Sequence, residues 1–254
     1  MISIDKAPSF DFSCAPAFLQ PARDRWLTSS GNERAVAKCL ELLLSEREPR
    51  VILIAGERGS GLSSVLYEVE RRLSRSKGRT LALYEDDDSD PRFVLQSVVE
   101  ALQMPNSIRK DATQKMPAVF ESVLAMRDYR YFLIHHAGRY LMFTRHITRG
   151  THASLTYLLS LPMGAKLVIA GTQSDMKKYL QLLEALKPER LKLAPMTNDK
   201  RYGVFVQELV KQNFSAWNAF APDVSAIHQQ TRGLVGATAV KVFEQCQVCL
   251  DACN

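Results

Sequence analysis

Apolar residues along this chain fall into two kinds of pattern, short continuous runs and longer stretches of helical spacing. The short runs are typical of buried strands, and we predict five of them: Val51 to Ala55, "TLALYE", "YFLIH" from Tyr131, "AKLVIAGT" and "RLKLAP". Between them, apolar positions recur every three or four residues, as in "NERAVAKCLELLLSE". Strands that alternate with helices predict an α/β fold whose parallel sheet is covered by helices on both faces.

The strand pattern stops after Pro195, and helical spacing takes over. Three helices are predicted there, from "DKRYGVFVQELVKQNF", "PDVSAIHQQT" and "GATAVKVFEQCQVCLDAC". We therefore predict an N-terminal extension over 1–30, an α/β core domain over 31–197 and a small all-α lid domain over 198–254.

The helices around the third strand carry recognisable start signals. In "SDPRFVLQSVVEALQMP", Asp90 is the expected N-cap and Pro91 the first turn. "PAVFESVLAM" predicts the next helix, and "THASLTYLLSLP", which begins at Thr151, predicts the helix after the third strand.

A glycine-rich turn joins the first strand to the following helix. The stretch "VILIAGERGSGLSSVLYEVERRL" has the strand, turn and helix of a phosphate-binding P-loop, whose pattern is G-x-x-x-x-G-K followed by Ser or Thr. Gly56, Gly59 and Gly61 are in place, but Leu62 stands where the pattern needs lysine. Because Leu62 shares a helical stripe with Leu66, an alternative interpretation is that it extends the core face of that helix.

The composition excludes several classes of protein. With 46% apolar and 24% charged residues, the chain of 254 residues is typical of globular proteins, and its apolar runs are too short to cross a bilayer. The N-terminus lacks the layout of a secretion signal, so we expect a cytoplasmic protein with free cysteines. The net charge of +6 suits a polyanionic partner such as DNA.

Two clusters invite a metal-binding or catalytic interpretation. Cys246, Cys249 and Cys253 share a helical face, but three thiols form an incomplete zinc set, so core packing is favoured. The acidic run "EDDDSD", Glu85 to Asp90, is explained by a solvated loop with helix-capping acids. We predict no metal site.

An α/β core with a glycine-rich loop after its first strand and helices at its C-terminus resembles the AAA+ ATPases. The segments "YFLIHHAGRYL", "LTYLLSLPMGAKLVIAGTQSDMKKYLQLLEAL" and "IHQQTRGLVGATAVKVF" are similar to those of the TniB and TnsC kind, encoded by transposons. The resemblance covers about Leu19 to Leu250. It implies an AAA+ P-loop type five-stranded sheet, and a protein that assembles on DNA and connects target-site selection to the transposase.

The nucleotide-binding positions of that family are only partly kept. An Asp and a Glu should end the third strand, to hold Mg²⁺ and to activate water, but His135 and His136 stand there. Imidazole is a poor ligand for Mg²⁺, and on a strand end the two rings should point to opposite sides. Loss of the lysine at Leu62 costs about 3 kcal/mol of binding or more. The resemblance leaves a vestigial nucleotide set: Gly56, Gly59, Gly61, Ser63, Ser64 and Thr172.

The arginine positions of the family are also altered. Its arginine finger falls at Ala185 and Leu186, with Arg190 as a substitute. Its sensor arginine in the last helices falls near Gly236, with Arg232 the nearest cation. Neither arginine role can be assigned from the sequence.

DNA contact is expected in "FTRHITRGTH", because this segment faces the central DNA in rings of that family. Arg145, His146 and Arg149 would contact phosphates there. The alternative interpretation is a solvated helix face.

Our hypothesis is a non-hydrolysing AAA+ adaptor in DNA transposition, nucleoid-associated in the cytoplasm. Its expected partners are DNA, the transposase, a target-selection protein and other AAA+ subunits, with no membrane. No cofactor is expected, and ATP with Mg²⁺ should bind weakly. One alternative is an active ATPase that uses an atypical cation such as Arg58. Another is a non-catalytic AAA+ subunit of a different DNA-handling complex.

Overall fold

A five-stranded sheet forms the centre of the protein. The computed structural model describes residues 26–46, 50–75, 78–83, 93–103, 118–141, 145–213 and 222–253, and side chains at 118, 145–147 and 249–253 lie outside this description. All neighbouring strands pair in parallel, in the order β2-β3-β4-β1-β5. The strands are β1 (Val51–Ala55), β2 (Arg79–Leu83), β3 (Tyr129–Ile134), β4 (Lys166–Gly171) and β5 (Glu189–Lys192).

Helices connect the strands and complete the chain. They are α1 (Glu33–Leu44), α2 (Leu62–Leu73), α3 (Val94–Ala101), α4 (Ala118–Met126), α5 (Arg145–Ser160), α6 (Gln173–Leu182), α7 (Lys200–Asn213), α8 (Val224–Thr231) and α9 (Val235–Cys253), with short 3-10 turns at Ala137–Leu141 and Glu184–Leu186. The α/β fold with a parallel sheet is therefore confirmed. The proposed domain boundaries stay a prediction.

Two apolar layers cover the sheet because strand side chains alternate between its faces. In β1, Val51 and Leu53 belong to the layer formed with α3, α4, α5 and α6, whereas Ile52 and Ile54 belong to the layer formed with α1 and α2. A third cluster lies within the C-terminal helices α7, α8 and α9. Cys246 is buried in that third cluster, as core packing requires.

Two helix starts differ from the prediction. Helix α3 begins at Val94, with Phe93 extended before it, and Pro91 lies outside the described residues. The Phe93 N–H donates to the Gln96 side chain at 3.2 Å, and its ring packs on Gly150, where a Cβ would be 2.4 Å from Cε1. Helix α5 begins at Arg145, six residues before Thr151, so the segment expected to contact DNA is the start of a helix. Asp90, Cys249 and Cys253, and the run 85–90, lie outside the described backbone or side chains.

A charge network around the buried Glu68 carboxylate joins α1 to α2. The Glu68 carboxylate, with only 2% of its side chain exposed, accepts hydrogen bonds from Arg71 and Arg72, both with a shortest distance of 2.6 Å. Arg72 also donates to Glu33 at 2.8 Å, and Glu33 accepts from the Trp26 indole at 2.5 Å. This network holds the segment before α1 on the C-terminal half of α2.

Among the described residues, no helix has both the length and the apolar character that are needed to cross a membrane.

Candidate functional site

The glycine-rich loop has the strand, turn and helix geometry that the sequence predicts. The Gly56 N–H donates to the Gly171 carbonyl of β4 at 3.1 Å, which holds the start of the loop on the sheet. Gly59 and Gly61 have φ angles of 84° and 87°, in the left-handed region that favours glycine. Gly61 is the N-cap residue of α2, so the loop leads directly into the positive end of that helix.

Leu62 occupies the interior of this loop. Its Cγ atom lies 3.0 Å from the position that a Cβ at Gly56 would take, so the side chain folds back over the glycine. The same side chain packs on the apolar layer of α1 and α2. Leu62 therefore extends the core face of α2 and also fills space inside the loop.

Polar side chains also pack against the glycine-rich loop. The Asn32 amide donates to the Ser60 carbonyl at 2.8 Å, and its Nδ2 is 2.9 Å from the position of a Cβ at Gly61. The Ser60 Oγ atom lies against Gly56 and, like Asn32 Oδ1, is buried without a hydrogen-bond partner in the described part of the chain. Sequence reasoning missed Asn32, although its place just before α1 was a signal for an N-cap.

Ser63 and His135 meet at the carboxyl end of the sheet. A hydrogen bond of 2.9 Å joins Ser63 Oγ and His135 Nε2. Burial, and then the nearby charge of His136, lower the pKa of His135 to about 3. The imidazole is therefore neutral near pH 7.

The two histidines do not point to opposite sides, so that prediction is wrong. Strand β3 ends at Ile134, and His136 has a φ of 50°, which breaks the alternation of side chains. The two rings meet edge to face, with their centroids 3.8 Å apart. His135 is buried, whereas His136 is exposed.

The described side chains of this arrangement are a poor match for Mg²⁺ and a triphosphate. Mg²⁺ prefers carboxylate, phosphate and water oxygens, and the hydroxyl that would bind it is bonded to a neutral imidazole. The side chain at position 62 offers no charge to phosphates and fills part of the loop. Within the described ranges, no group of three or more His, Cys, Asp or Glu side chains could hold a metal ion.

Two other hydroxyls of the predicted nucleotide set have different surroundings. Thr172 is the N-cap of α6: its hydroxyl accepts from the Asp175 N–H at 3.2 Å and bonds to the Asp175 carboxylate at 2.6 Å. The Thr172 hydroxyl is therefore already used in helix capping. Ser64 lies half-buried in the first turn of α2.

The cations named from the sequence belong to different elements of the fold. Arg149 is exposed on α5, and Arg145 and His146 belong to the same helix with side chains outside the description. Arg190 is exposed on the edge strand β5. Arg232 follows α8 and forms an exposed ion pair with Glu57 of the loop, at 3.6 Å.

The other residues considered from the sequence lie at different distances from the glycine-rich loop. Arg58 is exposed in the loop. Leu186 belongs to the short turn before β5 and is 36% exposed, and Ala185 precedes it. Gly236, in the first turn of α9, packs against the backbone of the loop.

Comparisons with known proteins place the fold. No protein-family model matches the chain, and no curated protein matches it. The similar solved structures include the Walker-type ATPase PABY2304 of Pyrococcus abyssi, with a TM-score of 0.59 and 16% identity over 85% of this chain. They also include Cdc6p from Pyrobaculum aerophilum, with a TM-score of 0.61 and 14% identity over 92% of this chain. The alignments span 67% and 63% of those two chains. This protein therefore shares an α/β P-loop fold with these two structures.

Proposed function

We propose that this protein is a non-hydrolysing AAA+-type adaptor that associates with DNA in transposition and links target selection to the transposase. One observation carries the proposal: Leu62 fills the glycine-rich loop, while the neighbouring Ser63 hydroxyl is bonded to the buried His135. The loop keeps the shape of a P-loop without the charges that a triphosphate needs.

The charges at the site support the proposed absence of ATP hydrolysis. Phosphoryl transfer depends on cations that neutralise the developing charge and on an acidic group that positions the attacking water. Here the lysine position is apolar, and the position of the metal-binding acid is a histidine whose pKa is lowered to about 3. A neutral imidazole neither holds Mg²⁺ nor replaces the lysine.

The DNA partner is supported by charge. The chain has a net charge of +6, and Arg149 is exposed near the start of α5, after the carboxyl end of β3. Arginine contacts to phosphates hold a protein on DNA without reading the bases. The sequence resemblance to TniB and TnsC adds the transposase, the target-selection protein and further AAA+ subunits as partners, and a nucleoid location.

Binding to a fluorescent DNA duplex, measured by anisotropy with and without ATP and Mg²⁺, tests this proposal. We expect the same affinity in both conditions and a steep fall in affinity with rising salt. Arg149→Ala should weaken binding and reduce the salt slope by about 1. Arg127→Ala is the matched control, since it removes an exposed charge before β3, at the opposite edge of the sheet.

Three results would count against the proposal. Absence of DNA binding would contradict DNA as a partner. Equal effects of Arg127→Ala and Arg149→Ala would show that α5 does not contact the DNA. Binding that requires ATP would favour the alternative of a working ATPase with an atypical cation such as Arg58. A transposase gene beside this one is expected only for the transposition role, and not for another DNA-handling complex.

A further inference from the structure

The first turn of α9 lies directly on the glycine-rich loop. A Cβ at Gly236 would be 2.9 Å from the Gly59 carbonyl oxygen and 3.1 Å from the Gly61 nitrogen. The Ala237 N–H donates to the Gly59 carbonyl at 2.9 Å. The backbone of α9 thus covers the Gly61 amide, on the loop whose amides would face a phosphate in a P-loop.

Glycine on both sides makes this close approach possible. A Cβ at Gly59 would be 3.2 Å from the Cβ of Ala237, and one at Gly61 would be 3.8 Å from Val235 Cγ1. Because Gly236 has no side chain, α9 can reach the loop without displacing it. The loop glycines therefore accommodate a helix of the same chain.

No acidic side chain neutralises this junction from within the two helices. Helices α2 and α9 both begin at the loop, and neither has an acidic residue in its first turn. Two positive helix ends repel one another, so the Gly59 carbonyl, which accepts from Ala237, is the compensating group between them. The exposed pair of Glu57 and Arg232 adds little, since surface ion pairs are worth at most about 1 kcal/mol.

Met196, in the segment between β5 and α7, also holds the C-terminal helices in place. The Met196 N–H donates to the Gly233 carbonyl at 2.8 Å, and its own carbonyl bonds to His228 Nε2 at 3.0 Å. The Met196 side chain packs on Gly31, where a Cβ would be 2.9 Å from its Cγ. Met196 therefore joins the segment before α1 to the C-terminal helices.

We propose that α9 is the internal ligand of the glycine-rich loop and holds α7, α8 and α9 on the sheet without a nucleotide. The loop is closed by its own chain, so the helices keep one position in conditions where an ATP-driven protein would change theirs. This inference stands apart from the DNA-adaptor role, because it concerns only how two parts of this chain are held together.

The exchange rate of the Ala237 amide in the wild-type protein is the first test. Ala237 is the third residue of α9, and N–H groups in the first turn of a helix have no carbonyl partner within that helix. The hydrogen bond to Gly59 should slow exchange of this amide at least about a hundredfold below its unstructured rate, as measured by NMR. Exchange at the unstructured rate would overturn the proposal.

A matched pair of glycine substitutions is the second test. Gly236→Ala places a Cβ against backbone atoms of the loop, whereas Gly203→Ala, on α7, meets nothing within 4 Å. Both changes favour a helix by about 1 kcal/mol, so helix propensity is matched. We expect exchange at Ala237 to speed up at least about tenfold in Gly236→Ala only, with the helical circular dichroism retained.

Equal exchange in the two variants would contradict docking of α9 on the loop. If Gly236→Ala does not fold, the exchange rate of the wild-type Ala237 amide decides the question by itself.

Discussion

The two ends of α2 differ in how they use charge. At its start lie Leu62, where the P-loop pattern has lysine, and His135, which is neutral because its pKa is lowered to about 3. In its second half, Glu68 is buried and fully charged, because Arg71 and Arg72 donate to both of its oxygens. Charge is therefore kept where the chain itself supplies both partners, and is absent where a ligand would have to supply one.

From this difference we expect that the fold does not depend on a bound nucleotide. A buried charge is stable only with a partner, and removing one partner is costly. At the loop end, the contacts of the described residues are backbone hydrogen bonds, apolar packing, the Asn32 bond to Ser60, the exposed pair of Glu57 and Arg232, and the bond between Ser63 and His135. The predictions below test the charged end first and then the neutral one.

Glu68→Gln should have the largest effect on stability. The glutamine leaves Arg71 and Arg72 without their shared carboxylate, so we expect the free energy of unfolding at pH 7 to fall by about 3 kcal/mol. Urea denaturation measures this loss. Glu41→Gln on α1 is the control, since its ion pair with Lys38 is exposed, and it should change stability by less than about 1 kcal/mol.

Equal losses in Glu68→Gln and Glu41→Gln would show that the buried network contributes nothing beyond a surface pair. The dependence of the free energy of unfolding on pH in the acid range gives a second test. Burial would raise the pKa of Glu68, but the hydrogen bonds from Arg71 and Arg72 outweigh it, so the pKa is lowered from 4.5. Stability from this group is therefore present above pH 4.5 and is lost as the pH falls below it.

His135→Gln should change the pH dependence of stability at the neutral end. The unfolded chain takes up a proton at this residue below pH 6.5, whereas burial and His136 lower its folded pKa to about 3. Stability from the neutral ring is thus complete above pH 6.5 and is lost as the pH falls towards 3. The wild type should lose about 2 kcal/mol between pH 7 and pH 5 that His135→Gln keeps.

Denaturation at both pH values measures that difference, and parallel curves for the two proteins would show that His135 is not held neutral. The window above pH 5 matters, because the paired carboxylates of Glu33 and Glu68 titrate below their ordinary value of 4.5.

Leu62→Lys should have the smallest effect, a loss of about 1–2 kcal/mol in the free energy of unfolding. The lysine removes apolar packing over Gly56 and places a cation beside two positive helix ends. Leu62→Met is the control, because it keeps an apolar side chain of similar volume. A Leu62→Lys protein that is more stable than Leu62→Met in phosphate-free buffer would contradict this prediction, because the start of α2 would then accommodate a cation without a ligand.

Much of the fold follows from local pattern. Strand β1 is a continuous apolar run between polar segments, and it forms from Val51 to Ala55 as predicted. The start of α3 at Val94 was missed: Phe93 before it donates to the Gln96 side chain and packs on Gly150, which is far away in the chain. The start of α5 was also missed, since its first residues are polar and give no apolar period.

The site divides in the same way between local and long-range causes. Leu62, His135 and His136 are visible in the sequence as departures from a motif. The contact between the two histidine rings was not, because it depends on the left-handed backbone of His136. The closure of the loop by Gly236 and Asn32 needs the tertiary structure, since α9 and α1 come from distant parts of the chain.

Release of phosphate from ATP with Mg²⁺, measured for the wild type beside Ser63→Ala, tests the central claim most directly. The account predicts that both proteins release phosphate no faster than buffer alone, because Leu62 stands at the lysine position and the Ser63 hydroxyl is bonded to His135. Steady release by the wild type that Ser63→Ala abolishes would contradict it.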